Sequence, residues 1–305
     1  MMLFLGNSYT FMGALDEAVV GVFAAAGDEV AAERLAEPGW TFAQHVGAIE
    51  TDGSAWQVAF EEPRAWVFLQ EQSQIPGFPE GQADLVASRE AAVTLDGYAA
   101  STGAQTMFLM TWGRRAGDDQ NPDTYPDFET MQAALTAGYL DYVARASEDG
   151  SDAWVAPVGL AWARVYDDVV AGGLDPLDPT SPFYGLYIDD GSHPSQRGTY
   201  LAACVIYTSL TGESPVGFDA PEAVPDAAYL QAVAAAVVLE GEGLAYPWQV
   251  GGDTGDTDVP GDPEDTGADA AEGGGCGCDS TANGVAGWIL GLGIVVSVGR
   301  RRAAR

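Results

Sequence analysis

Short runs of apolar residues alternate with longer helical patterns from the start of the chain to about residue 212. Leu3–Leu5 is a brief, fully apolar run, the mark of a strand buried on both faces. A helical pattern follows over 9–26, and Gly27 is placed to end it. Residues 29–35 predict a second strand, closed by Pro38-Gly39. Trp66–Leu69 predicts a third, 106–110 a fourth and 154–158 a fifth. Helices are expected at 84–100, 127–146, 194–211 and 226–239, with Pro194 in the first turn of its helix, where a missing N–H costs nothing. Strands that alternate with helices imply a parallel sheet covered on both faces. The expectation is therefore an α/β domain over residues 1–249. In such sheets ligands collect beyond the carboxyl ends of the strands, where Ser8, Gly39, Gln70 and Gln72 all fall.

Beyond that domain the pattern stops. Residues 251–275 hold eight acidic residues, no basic ones, and many Gly, Pro and Thr. Such a segment buries too little apolar surface to fold, so 250–275 is expected to be an extended, disordered acidic linker. Its Asp residues lack the spacing and terminal Glu of a calcium loop. Residues 276–305 carry Cys276 and Cys278, a fourteen-residue apolar stretch over 285–298, and Arg300, Arg301, Arg302 and Arg305. Fourteen residues are short for a bilayer span, which needs about 20. Small residues, a short apolar segment and a basic end predict a sorting or membrane-anchoring tail, and a place at the cell envelope or surface. Export to that place requires an N-terminal signal that this sequence does not contain, so the natural start is expected upstream of Met1.

Charge narrows the partners. There are 45 acidic and 12 basic residues, none of them lysine, for a net charge of −33. That surface repels nucleic acid and anionic membranes and disfavours polyanionic substrates. Cys204, inside an apolar helical run, reads as a buried thiol, and the pair at 276 and 278 is too isolated for a four-ligand zinc site. No metal and no cofactor is expected.

Candidate chemistry rests on few residues. The chain has two histidines, His45 and His193, so a general base has almost nowhere else to come from. Ser8 stands between the first strand and the first helix, where backbone N–H groups and the helix dipole favour negative charge. Asp190-Gly191-Ser192-His193-Pro194 supplies an acid and a base three positions apart. A carboxylate that accepts from one ring nitrogen leaves the other free to face a hydroxyl, which is the minimum for nucleophilic acyl transfer. Asp189 is the alternative orienting acid. Trp112 and Arg114, just past the fourth strand, stand at the edge where a substrate would lie, the Trp as a face for a sugar ring. His45, on a helix after the Gly39 turn, reads as structural or surface-exposed.

Gly6-Asn7-Ser8 with Thr10, then Gly39, then Asp190-x-x-His193-Pro194, resemble the SGNH (GDSL-like) hydrolase superfamily in residues and in block order over about residues 3–212. The resemblance implies a three-layer α/β/α flavodoxin-like domain with a five-stranded parallel sheet. It implies Ser8 as nucleophile, His193 as base and Asp190 as its orienting acid, with the backbone N–H groups of Ser8 and Gly39 in the oxyanion hole. Two departures mark a divergent Gly-Asn-Ser-Tyr-Thr branch. Asn7 stands where the family usually has Asp. The third block, which normally supplies an oxyanion-hole Asn, reads Leu69-Gln70-Glu71-Gln72-Ser73, and none of the three asparagines lies near it. A glutamine amide is the natural replacement, Gln72 by spacing, with Gln70 as the other choice. The tail resembles MYXO-CTERM sorting signals of surface-anchored bacterial proteins. The expected activity is hydrolysis of small acyl esters, acetyl above all, on a small molecule or carbohydrate. The alternative is a non-catalytic carbohydrate-binding domain of the same fold.

Overall fold

The structure, a computed structural model, describes residues 1–250. The linker and tail expected over 250–275 and 276–305 lie outside the described residues, apart from Val250. Among the described residues no helix is long and apolar enough to cross a membrane.

Chain order is β1 (Met2–Gly6), α1 (Ser8–Phe11), α2 (Leu15–Ala26), β2 (Ala32–Ala36), α3 (Phe42–Ile49), α4 (Ala55–Ala59), β3 (Trp66–Leu69), α5 (Ala83–Ser101), β4 (Gln105–Leu109), α6 (Phe128–Ala146), β5 (Ala153–Ala156), α7 (Val158–Ala171), α8 (Gln196–Thr211), α9 (Ala227–Leu239) and α10 (Pro247–Val250). The five strands form one sheet in the order β2-β1-β3-β4-β5, and every pairing is parallel. This is the doubly wound order in which the chain reverses direction of travel between β1 and β3.

Successive strand residues point to opposite faces, and each face has its own core. Phe4, Phe68, Met107 and Trp154 pack toward α2, α7, α8 and α9, whereas Leu5, Val67, Phe108 and Val155 pack toward α3, α5 and α6. With both faces covered, β1 is buried at all five positions, which is why its sequence runs apolar without alternation. β2, at the edge, is only half-buried and carries charge: Arg34 pairs with Asp16, and Glu33 with Arg64 at 2.7 Å.

Where the elements differ from expectation, contacts distant in sequence are the cause. The helical pattern over 9–26 divides into α1 and α2, because Gly13 lies against Thr199 of α8, so closely that a Cβ there would strike that side chain, and Ala14 turns left-handed at φ 50°. α8 starts after Pro194, which is held in a bridge to Tyr187 while Ser195 caps the helix through the N–H of Gly198. The fifth strand stops at Ala156 rather than 158, and Val158 already opens α7, a helix the local pattern does not predict. β2 begins at Ala32 rather than residue 29. Gly27 does close α2, at φ 95°, and Cys204 is wholly buried, its thiol pKa pushed up by desolvation.

Candidate active site

β1 ends at Gly6, where a Cβ would strike Thr10 Oγ1 and Gln70 Oε1, so only glycine lets the chain turn this tightly from strand to helix. Asn7 caps α1, its side-chain oxygen accepting from the Tyr9 N–H at 3.2 Å. Ser8 is the first helical residue, and its N–H is one of those that a helix start leaves without an intrahelical partner.

The second half comes from residues 188–193, a turn made possible by Gly191 at φ 67° and closed by a 3.0 Å bond from the Ile188 N–H to the His193 carbonyl. It delivers His193 Nε2 to 2.7 Å from Ser8 Oγ, across 185 positions of sequence. Nδ1 of the same ring lies 2.6 Å from Asp190 Oδ2. The other carboxylate oxygen, Oδ1, accepts from the N–H groups of Ser192 and His193, both at 2.9 Å. Partial burial pushes the Asp190 carboxyl upward, but the hydrogen bonds from the His193 ring and these two amides outweigh it and hold its pKa below the ordinary aspartate value. An ionised Asp190 requires the proton on Nδ1, which leaves Nε2 as an acceptor toward Ser8. Asp189 is exposed, and its carbonyl accepts from Arg115 Nη2 at 3.3 Å; Asp190 is the acid that meets the histidine.

The turn is clamped from the segment after β4 and from α1. Trp112 Nε1 donates to the Ser192 carbonyl at 3.0 Å, the Arg115 N–H donates to the Gly191 carbonyl at 2.8 Å, and the Tyr9 and Ser192 hydroxyls meet at 2.6 Å. Trp112 is therefore not the substrate face expected of it. It is buried, stacked between Tyr9 at 4.9 Å and Trp162 at 4.3 Å. A tryptophan so enclosed has no ring face left for a sugar.

A cavity of about 220 Å³ opens at Ser8 and His193 and is lined also by Gly39, Gln72, Ser73 and Arg114. Gly39 adopts φ 69°. Gln72 faces the cavity with its oxygen accepting from the Gln74 N–H at 2.8 Å and its amide nitrogen donating to Gln74 Oε1 at 3.1 Å. A carboxamide nitrogen has two hydrogens, so one stays unused by any hydrogen bond among the described residues. Gln70 does not line the cavity. Its oxygen accepts from the Asn7 N–H at 3.0 Å and the Thr10 hydroxyl at 2.8 Å, while its nitrogen donates to Asn7 Oδ1 at 3.0 Å and to the Glu71 carbonyl. Both ends of this buried amide serve the strand-to-helix turn, which rules out the oxyanion role considered for it. Arg114 reaches the cavity with its charge shared with buried Asp118.

Sequence reasoning passed over Glu71. Its carboxyl is wholly buried between β3, α3 and α5, accepting from the N–H groups of Phe42 at 2.9 Å and Gln72 at 2.6 Å and bonded to the Ser88 hydroxyl. Desolvation pushes its pKa up to about 7 against the lowering effect of these bonds. An acidic residue two positions past the end of an apolar strand was the available signal. His45 is structural. It lies buried, with Nε2 bonded to the Gly6 carbonyl at 3.0 Å, and burial lowers its pKa to about 4. A larger groove of about 640 Å³ between α2 and α8 is mainly apolar and contains none of Ser8, Asp190 and His193, so size alone does not locate the chemistry.

No family model matches the chain, and no curated protein matches its sequence. Solved structures do resemble it. A candidate SGNH hydrolase from Slackia heliotrinireducens is 23% identical, covering 67% of this chain and 95% of its own, at a TM-score of 0.50. The fold is that of the SGNH hydrolases. A DUF4886 family protein from Bacteroides uniformis has a similar fold at a TM-score of 0.58, with 14% identity over 81% of this chain and 98% of its own. Axe2, an acetylxylan esterase from Geobacillus stearothermophilus, is 16% identical over 74% of this chain and 96% of its own; at a TM-score of 0.47 the likeness adds nothing to the fold assignment.

Proposed function

We propose that the protein is a serine ester hydrolase of the SGNH type that cleaves short acyl groups, acetyl above all, from small-molecule or carbohydrate alcohols. The observation that carries this is the continuous line from Ser8 Oγ through the His193 ring to Asp190, with contacts of 2.7 and 2.6 Å. Ser8 Oγ attacks the ester carbonyl carbon while His193 Nε2 takes its proton, and Asp190 stabilises the imidazolium. The carbonyl oxygen, now negative, receives hydrogen bonds from the N–H groups of Ser8 and Gly39 and from the Gln72 amide. Collapse of the intermediate breaks the bond to the alcohol oxygen, which leaves with the proton from His193. Water then enters, His193 takes one of its protons as its oxygen attacks the acyl-serine carbonyl carbon, and the bond to Ser8 Oγ breaks as His193 returns the proton to that oxygen, which frees the acid and restores Ser8.

The size of the cavity supports the acyl preference. At about 220 Å³ it is smaller than the roughly 300–1,000 Å³ of pockets that enclose drug-sized ligands. Ser73, Gln72 and Arg114 line it, so a long alkyl chain would be buried against polar groups without partners. Arg114 contacts the substrate on this reading.

Hydrolysis of p-nitrophenyl acetate by the full chain tests the proposal. Turnover in the wild type that is lost in both Ser8→Ala and His193→Ala is the expected result. Equal release of nitrophenol by all three would refute it and favour a non-catalytic binding domain. The cell-surface location proposed for the tail over 276–305 rests on its sequence, and membrane fractionation of cells expressing the full chain with and without that segment tests it.

A further inference from the structure

A second depression, of about 420 Å³, is walled by Trp40 and Trp56 and floored by Gln44, Thr51 and Ser54. The two indoles are 4.9 Å apart with their planes at 30°, and both are half-buried, unlike the sealed Trp112–Trp162 pair. Trp40 directly follows Gly39, which lines the catalytic cavity, so one peptide bond links a lining residue of each hollow.

Both tryptophans are tied to the turn that carries Ser8, Trp40 through its backbone and Trp56 through its ring. The Trp40 carbonyl accepts from Asn7 Nδ2 at 3.0 Å. Trp56 Nε1 donates to His45 Nδ1 at 2.9 Å, and His45 Nε2 donates to the Gly6 carbonyl at 3.0 Å. A carbonyl only accepts, so Nε2 carries the ring's hydrogen and Nδ1 is the acceptor; the low pKa of His45 keeps it neutral in this arrangement. The polar edge of Trp56 is thus satisfied internally, and what the groove presents is ring surface held in a fixed orientation. Around it stand groups with hydrogen-bonding capacity left over. Gln44 uses its oxygen to accept from the Thr41 N–H, leaving its amide hydrogens, and the Thr51 hydroxyl donates to Gly47 and retains its lone pairs.

We infer that this groove is the subsite for the alcohol part of the ester, and that this part is a pyranose ring of a neutral saccharide. An aromatic face packs the C–H side of a sugar, and flanking amides and hydroxyls bond its hydroxyls. A net charge of −33 disfavours acidic sugars in such an open groove. The inference rests on the esterase reading for the identity of the leaving group, but binding can be measured without turnover.

The experiment uses the full chain and two esters, an O-acetylated methyl xylopyranoside and ethyl acetate, followed by acid release. The ratio of kcat/KM for the sugar ester to that for ethyl acetate is expected to fall about tenfold or more in Trp40→Ala, through KM, and to be largely restored in Trp40→Phe. In parallel, Ser8→Ala protein is titrated with xylobiose while tryptophan fluorescence is followed. A saturable change that disappears in the Ser8→Ala, Trp40→Ala double variant supports the subsite even if the wild type hydrolyses neither ester, an outcome that refutes the esterase reading alone. An unchanged ratio in Trp40→Ala, or fluorescence indifferent to xylobiose up to its solubility, overturns the subsite.

Discussion

The indole N–H of Trp112 donates to the carbonyl of Ser192 at 3.0 Å, so a ring with no face on the cavity governs the backbone next to His193. Trp112→Phe keeps an aromatic ring between Tyr9 and Trp162 but removes this bond. A catalytic base displaced by a fraction of an ångström loses rate, not substrate affinity. The expected result is a fall in kcat of about tenfold with KM nearly unchanged, read from initial rates on p-nitrophenyl acetate. Loss through KM alone would show that Trp112 touches the substrate after all.

Asp190 and Asp189 are neighbours with different duties. Asp190→Asn weakens the hold on the His193 tautomer and is expected to lower kcat by about 10²–10⁴. Asp189→Asn alters an exposed side chain and should stay within about twofold of wild type. Steady-state kinetics of the two variants side by side decides between them.

The two glutamines that frame Glu71 separate in the same way. Gln72→Ala is expected to cost about 10²–10³ in kcat, the usual effect of losing an oxyanion donor, with little change in stability. Gln70→Ala strips a buried amide from Asn7, Thr10 and the Glu71 carbonyl, and should cost about 1–3 kcal/mol of folding stability. Urea unfolding together with turnover on each variant tests the assignment.

Glu71 makes stability depend on pH. Its folded pKa of about 7 lies above the ordinary value of 4.5, so between these the folded chain keeps a proton that the unfolded chain has released. Stability from this group therefore falls as pH rises through that window, by up to about 1.4 kcal/mol per pH unit, and levels off above it. Glu71→Gln retains the acceptor for the Phe42 and Gln72 amides and can donate to Ser88. Unfolding midpoints of wild type and variant should converge at the acid end of the window and diverge above neutrality, with the variant more stable. Parallel curves would mean that Glu71 titrates normally.

Much of the fold could be read from local pattern. β1 and β3 are short apolar runs because both sheet faces are covered, and α5 and α6 are long stretches with no proline to interrupt a helix. α7 was hidden because its apolar start continues that of β5, and the α1–α2 break was hidden because its cause, Thr199, is more than 180 residues away. In the site, Ser8, Asp190 and His193 were legible because each stands at an element boundary with a chemically distinctive neighbour. Trp112 and Gln70 were misplaced because a sequence position just past a strand does not tell which way a side chain turns. Trp112 turned inward to fill a gap between two rings, and Gln70 turned back to satisfy Asn7.

The order of apolar and polar residues determined that this chain makes a parallel sheet wrapped by helices, and two histidines among 305 residues determined which base could serve a serine. Those are local facts: strand burial and side-chain chemistry need no knowledge of distant neighbours. Tertiary structure alone decided that the imidazole at 193 faces the hydroxyl at 8, that the tryptophans at 40 and 56 meet ring to ring, and that a carboxyl at 71 is shut away from water. Each of these depends on the packing of segments far apart in sequence, and burial, which shifts a pKa or frees a ring face, exists only once those segments meet.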